Sequence, residues 1–269
     1  MSDIVLRADS LVREFPRKRR LFGPRLAPLL AVDGVSLEIR RGQTLGVVGE
    51  SGCGKSTLAR MIVGLLEPTA GRLEIDGQSI PELARRDRRA LHRRVQMVFQ
   101  DPLGSLNPRK TVRQILETPL RALQRMDKAA RGRRVTELMD LVSLRADFAD
   151  RYPHEFSGGQ SQRIGIARAL AAEAEVIVLD EPVSALDVSV QAQVLLLLGD
   201  LQVRLGLTYV FISHDLAVVE TIAHDVAVMN AGKVVEYAPA ERIFAHPQHE
   251  YTRLLLASVP RARAANAVG

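Results

Sequence analysis

The stretch GESGCGKS, Gly49 to Ser56, constrains this 269-residue chain more than any other part of it. It follows a short apolar run, residues 43–48 (QTLGVV), and precedes a segment with helical spacing, residues 55–66, in which Leu58, Ile62 and Leu65 share one face. Strand, glycine-rich loop and helix form the context in which G-x-x-x-x-G-K-[ST] wraps backbone N–H groups around phosphate oxygens. The glycines let the backbone close in, and the helix N-terminus adds a favourable dipole. Lys55 brings a point charge to the β- and γ-phosphates, and the Ser56 hydroxyl suits a magnesium ion. The candidate nucleotide contacts are therefore Gly49, Ser51, Gly52, Cys53, Gly54, Lys55, Ser56 and Thr57. A glycine-rich turn without a ligand is the competing reading, and the flanking strand and helix weigh against it.

The rest of the chain reads as α/β. Residues 3–15 and 32–39 look like strands on either side of a basic, Pro-containing loop, and residues 72–76 and 95–99 are strand-like. From about 101 to 155 the pattern turns helical, with breaks expected at Pro102, Pro108, Pro119 and Pro153. With the helix over 159–173 it reads as a helical subdomain, about 101–173, inserted into one domain spanning 1–260. VIVL (176–179) and TYVFI (208–212) are continuous apolar runs of the kind buried on both faces of a parallel sheet. Val190, Val194, Leu197, Leu201 and Leu205 predict a helix with one apolar stripe. Residues 225–238 predict a hairpin turned at Asn230 to Gly232, two short helices follow, and the tail 261–269 is expected to fray. Strands alternating with helices imply a mainly parallel core sheet.

Composition excludes several classes. With no Trp, seven Phe and four Tyr, the chain lacks the aromatics for a base-stacking platform, so no nucleic-acid partner is expected. The net charge of +6 gathers in two clusters, Arg17 to Arg20 and Arg85 to Arg94, and the second reads first as a solvated helix face. The single cysteine, Cys53, rules out an internal disulfide or a cysteine-ligated metal cluster. The start, MSDIVLRADS, is no signal peptide, and no stretch approaches 18 consecutive apolar residues. The expectation is a cytosolic protein that is able to sit on a membrane partner.

Two further motifs carry chemistry. VIVLDE, Val176 to Glu181, sets two carboxylates at the C-terminal end of a buried strand, where open α/β sheets place ligands. Asp180 could hold the magnesium through water, and Glu181 could act as general base on the attacking water. FSGGQ, Phe156 to Gln160, opens a helix with Ser157 as N-cap, and its glycines allow an anion to approach closely. An acidic cap before Pro182 and an ordinary capped helix are the bland alternatives.

In this order the three motifs resemble the ATP-binding-cassette (ABC) ATPases, whose own signature is SGGQ, and the resemblance covers nearly the whole chain. It implies a P-loop NTPase fold with a mainly parallel core sheet, an antiparallel β subdomain and an inserted α-helical subdomain. It also implies roles for further residues. Gln100 matches the glutamine that touches magnesium and senses the transmembrane partner, and Asp187 closes SALD, Ser184 to Asp187, the loop that crosses the dimer interface. His214 matches the histidine on the γ-phosphate, and Phe15 stands where an aromatic stacks on adenine. Ser157, Gly158, Gly159 and Gln160 of one copy would enclose ATP against the phosphate loop of another, so a site needs two ATPases, identical or homologous.

FQDPLGSLNPRKTV, Phe99 to Val112, and HPQHEYTRLLLASVP, His246 to Pro260, look like the ATPases of peptide and nickel importers. Such importers join two ATPases to two permeases and an extracytoplasmic solute-binding protein, with the ATPases peripheral on the cytoplasmic face of the inner membrane. Ser161 departs from the pattern, since a larger, often basic residue is common after SGGQ, and the tail is shorter than in many relatives. The competing classes are a soluble ABC ATPase acting on DNA or ribosomes and a nucleotide-binding regulator without turnover. About a hundred residues between phosphate loop and SGGQ disfavour the DNA-repair members, and the presence of Glu181 and His214 disfavours a dead regulator.

Overall fold

A computed structural model describes residues 3–16 and 27–258. The basic cluster Arg17 to Arg20 and the tail 261–269 lie outside the described residues. Among the described residues ten strands run in chain order: β1 (Ile4–Phe15), β2 (Leu29–Arg40), β3 (Thr44–Val48), β4 (Ala70–Ile75), β5 (Gln78–Ser79), β6 (Val95–Val98), β7 (Val176–Asp180), β8 (Thr208–Ser213), β9 (Asp225–Asn230) and β10 (Lys233–Pro239). The α-helices are α1 (Lys55–Ile62), α2 (Ile80–Arg86), α3 (Arg88–His92), α4 (Pro102–Ser105), α5 (Val112–Ala122), α6 (Lys128–Leu141), α7 (Gly158–Leu170), α8 (Val188–Leu205), α9 (Leu216–Ile222), α10 (Ala240–Ala245) and α11 (Glu250–Ser258).

Two sheets form. The six-stranded one has the order β10-β9-β3-β8-β7-β6, parallel throughout except for the β9–β10 hairpin. The four-stranded one, β2-β1-β4-β5, is wholly antiparallel. Every residue of β3, β7 and β8 is buried, because both faces of the parallel sheet are covered. Ile177, Leu179, Tyr209 and Phe211 face a core shared with α5 to α8, while Val176, Val178, Val210 and Ile212 face a second core shared with α1 and the antiparallel sheet.

The structure corrects several boundaries. The first helix stops at Ile62 rather than reaching 66: Gly64 adopts φ +69, the N–H of Leu65 turns back to the carbonyl of Arg60 at 2.9 Å, and Leu65 lies exposed beyond the cap. Pro119 does not end a helix but lies inside α5. A capping box between Thr111 and Gln114 and the buried face Val112, Ile115, Leu116 and Leu120 hold α5 together, and it ends three residues later at Ala122. Pro102 and Pro153 instead start helical turns, at the position where a missing N–H costs nothing. Leu205 is exposed at the end of the α8 stripe. The cluster Arg85 to Arg94 spans the end of α2, the cap Asp87, the short helix α3 and the turn after it. The 18-residue helix α8 is long and apolar enough for a membrane span by length and composition, yet Val194, Leu197, Leu198 and Leu201 pack into the core.

Candidate active site

The phosphate loop leaves β3 through two positions that only glycine fills. At Gly49, φ is +150 and a Cβ would stand 2.1 Å from the carbonyl oxygen of Met229 and 2.8 Å from Cys53 Sγ. At Gly54, φ is +110 and a Cβ would meet the Ala31 carbonyl at 2.1 Å. The loop therefore nests against β2 and β9 before α1 begins. Lys55 is buried, and its Nζ donates to the carbonyls of Gly49 (2.7 Å) and Glu50 (2.9 Å). Cys53 is buried as well, with Sγ 3.9 Å from that amine.

The strand ends supply the rest. Asp180 closes β7, and the Ser56 hydroxyl donates to its Oδ1 at 3.1 Å. Burial pushes the Asp180 carboxyl above its ordinary range, against the lowering effect of the Ser56 bond and of Arg60 and Lys55, with Glu181 adding to the rise. The next residue, Glu181, has φ +47, a left-handed backbone that costs a non-glycine residue energy. Its N–H donates to the carbonyl of Ile212 at 2.9 Å, which holds the turn. Its carboxylate accepts from Gln100 Nε2 at 2.8 Å and lies 3.2 Å from His214 Nδ1. Gln100 follows β6 and His214 follows β8, so three adjacent parallel strands bring one carboxylate, one amide and one imidazole together at their C-terminal ends. A carboxylate gripped at both oxygens and only 14% exposed is aimed rather than free to rotate. Such a group can take a proton from a water attacking a phosphoryl group delivered by the adjacent loop.

The other candidates lie apart. Ser157 and Gln160 form a reciprocal capping box at the start of α7, with Ser157 N–H on Gln160 Oε1 at 3.0 Å and Gln160 N–H on Ser157 Oγ at 3.3 Å. A Cβ on Gly158 would meet Leu186 Cδ2 at 3.3 Å and one on Gly159 would meet Val190 Cγ1 at 2.4 Å. Within this chain, then, those glycines let the SALD loop and α8 pack against the SGGQ turn. Asp187 caps α8, accepting from Val190 N–H (3.0 Å) and Ser189 Oγ (2.7 Å), and the Ser189 bond leads the interactions that lower its carboxyl below the usual range. Among the described residues, no hydrogen bond or ion pair links Ser157 to Gln160, or Asp187, to the phosphate loop. Phe15 ends β1 opposite Leu29, half-buried, with the Arg13 guanidinium 4.8 Å over its ring. Motif reading missed one contact entirely: the Tyr251 hydroxyl of α11 accepts the Glu50 N–H of the phosphate loop at 3.3 Å.

Residues 32–184, which carry the loop, the carboxylate pair and the SGGQ turn, match the family described as "ABC transporter". The chain belongs to the ABC transporter family. As an ABC ATPase it binds ATP, and its hydrolysis is coupled to transport. The α/β architecture is that of the solved cassettes. The ATP-binding cassette MJ0796, in a dimeric post-hydrolysis state bound to ADP and Pi, aligns with a TM-score of 0.75 at 28% identity, covering 87% of this chain and 98% of that one. Residues 235–268 match the family described as "Oligopeptide/dipeptide transporter, C-terminal region". A Brucella abortus protein named for peptide import is 54% identical over 262 residues, 97% of this chain and 78% of its own length. The dipeptide transport ATP-binding protein DppF of Haemophilus influenzae is 51% identical over 257 residues, 96% of this chain and 78% of its own.

Proposed function

We propose that this chain is the ATP-hydrolysing subunit of an importer for dipeptides or oligopeptides. The observation that carries the reading is the match of residues 235–268 to the oligopeptide/dipeptide C-terminal region, joined to an ABC ATPase whose carboxylate, amide and imidazole already converge. The names of the ABC relatives favour peptide over nickel as cargo.

In this reading the N–H groups of residues 51–57 cradle the phosphates, and Lys55 exchanges its loop carbonyls for the β- and γ-phosphate oxygens. Glu181 is the general base, Gln100 orients it, and His214 holds the γ-phosphate end of the site. Ser56 and Asp180 offer paired hard oxygen donors, and a buried carboxylate with a raised pKa is a group that gains from a cation; Gln100 has its carbonyl oxygen left to join them. Bound there, magnesium would neutralise charge on the phosphate oxygens. Among the described residues, Ser157 to Gln160 and Asp187 make no hydrogen bond or ion pair with the chain's own phosphate loop, and in this reading they serve a second ATPase docked head to tail, as in a cassette dimer. Phe15 lends its ring to the adenine once the Arg13 guanidinium moves off it. Two permeases and an extracytoplasmic binding protein complete the importer, with this subunit peripheral on the cytoplasmic face. Affinity capture of the tagged chain from its native membranes, followed by mass spectrometry, tests this: two permeases and an ATPase partner support it, and ribosomal proteins or DNA without a permease overturn it.

A further inference from the structure

The C-terminal segment HPQHEY is a motif that the hydrolysis chemistry does not use, and the structure brings it to the phosphate loop. Glu236 on β10 accepts the backbone N–H groups of Gln248 (2.8 Å) and His249 (3.0 Å), which pins the turn before α11. His249 Nδ1 then accepts the Tyr251 N–H at 3.1 Å, capping the helix. Thr252 is buried, and Tyr251, Leu255 and Leu256 pack against the core beneath. Tyr251 is thus a fixed part of the fold, and burial holds its phenol above the usual range, as a neutral hydroxyl.

Its target is the peptide unit between Gly49 and Glu50. The carbonyl of that unit accepts from Lys55 Nζ at 2.7 Å, and its N–H donates to the Tyr251 hydroxyl at 3.3 Å. A trans peptide points its C=O and N–H in opposite directions, so the two side chains grip it from opposite sides. The unit follows a glycine at φ +150, the residue type with the least backbone restraint of its own. It is also where the chain turns from β3 into the phosphate cradle. We propose that Tyr251 is a positioning residue that pre-orders the phosphate loop, and that the peptide-transporter C-terminal segment thereby sets the affinity of the cassette for ATP.

The inference rests on reading residues 49–56 as the phosphate loop. Tyr251→Phe removes the acceptor and keeps the ring packed. A net hydrogen bond corresponds to about a two- to tenfold effect, and pre-organisation governs binding, so the variant raises the Kd and KM for ATP by that factor. The kcat stays within about twofold, since Glu181 takes its contacts from Gln100 and His214. The decisive readout is amide hydrogen exchange at Glu50 in the full chain, which speeds up in Tyr251→Phe while the melting temperature falls by no more than about 2–4 °C. ATP affinity equal to wild type overturns the proposal, and so does weaker binding with unaltered Glu50 exchange. Lys55→Ala, run alongside, separates the two levels: if it binds ATP like wild type, the loop assignment itself falls and the proposal with it.

Discussion

The left-handed backbone at Glu181 makes a quantitative prediction about what this site costs the fold. At φ +47, with Pro182 narrowing the choices further, a residue bearing a Cβ is strained by about 1–2 kcal/mol relative to glycine. Glycine gives back about 0.4–1 kcal/mol through its freer unfolded chain. Glu181→Ala and Glu181→Gly lose the same carboxylate, with its contacts to Gln100 and His214, so their difference isolates the backbone. The glycine variant is therefore more stable than the alanine variant by about 1 kcal/mol, which for a chain of this size is about 2–4 °C in Tm. Paired thermal melts of the nucleotide-free proteins measure it. A glycine variant that melts at or below the alanine variant refutes the claim that the turn is strained. The strain has a use: it turns the carboxylate back between β6 and β8 instead of letting β7 run on.

Further variants probe the remaining groups. Glu181→Gln keeps ATP binding while kcat falls by about 10²–10⁴-fold, read by nucleotide binding and phosphate release; unaltered turnover would remove Glu181 from the base role. Asp180→Asn loses turnover but stabilises the nucleotide-free chain at pH 7. A carboxyl raised by burial contributes stability below its unfolded pKa of about 4 and loses it as pH rises through the folded value. The advantage of Asn over Asp seen at pH 7 by urea unfolding therefore shrinks toward pH 4, and an advantage that grows on acidification contradicts the sign. Cys53 lies packed under the loop, so a maleimide labels it slowly and ATP slows labelling further, and stoichiometric labelling blocks hydrolysis. Full activity after labelling would show that the loop tolerates the adduct.

The parallel core was legible because strands buried on both faces leave continuous apolar runs, as VIVL and TYVFI do, and β3 announces itself through the loop it feeds. The hairpin at Asn230 to Gly232 was legible from Asn230 and Gly232 between two apolar runs, although the two-residue turn itself is Ala231 and Gly232, both at positive φ, and alanine does not favour that conformation. Pro119 misled because proline reports local preference, whereas the buried face of α5 decides the outcome. The helix stop at Gly64 was overlooked because Leu65 continued the apolar spacing beyond a left-handed glycine. At the site, the run VIVLDE marked Asp180 and Glu181 and the family resemblance marked His214, but neither the strain at Glu181 nor the packing of Gly159 on Val190 leaves a trace in local sequence. The Glu50–Tyr251 bond spans 201 positions, and no periodicity connects its ends.

The most direct test of the account is peptide uptake into proteoliposomes that carry the transporter captured with this chain, together with its binding protein. With wild-type protein, ATP drives accumulation of a labelled di- or oligopeptide, and Glu181→Gln abolishes accumulation while ATP still binds. ATP hydrolysis without peptide accumulation would contradict the assignment to peptide import, and accumulation sustained by Glu181→Gln would contradict the chemistry assigned to the site.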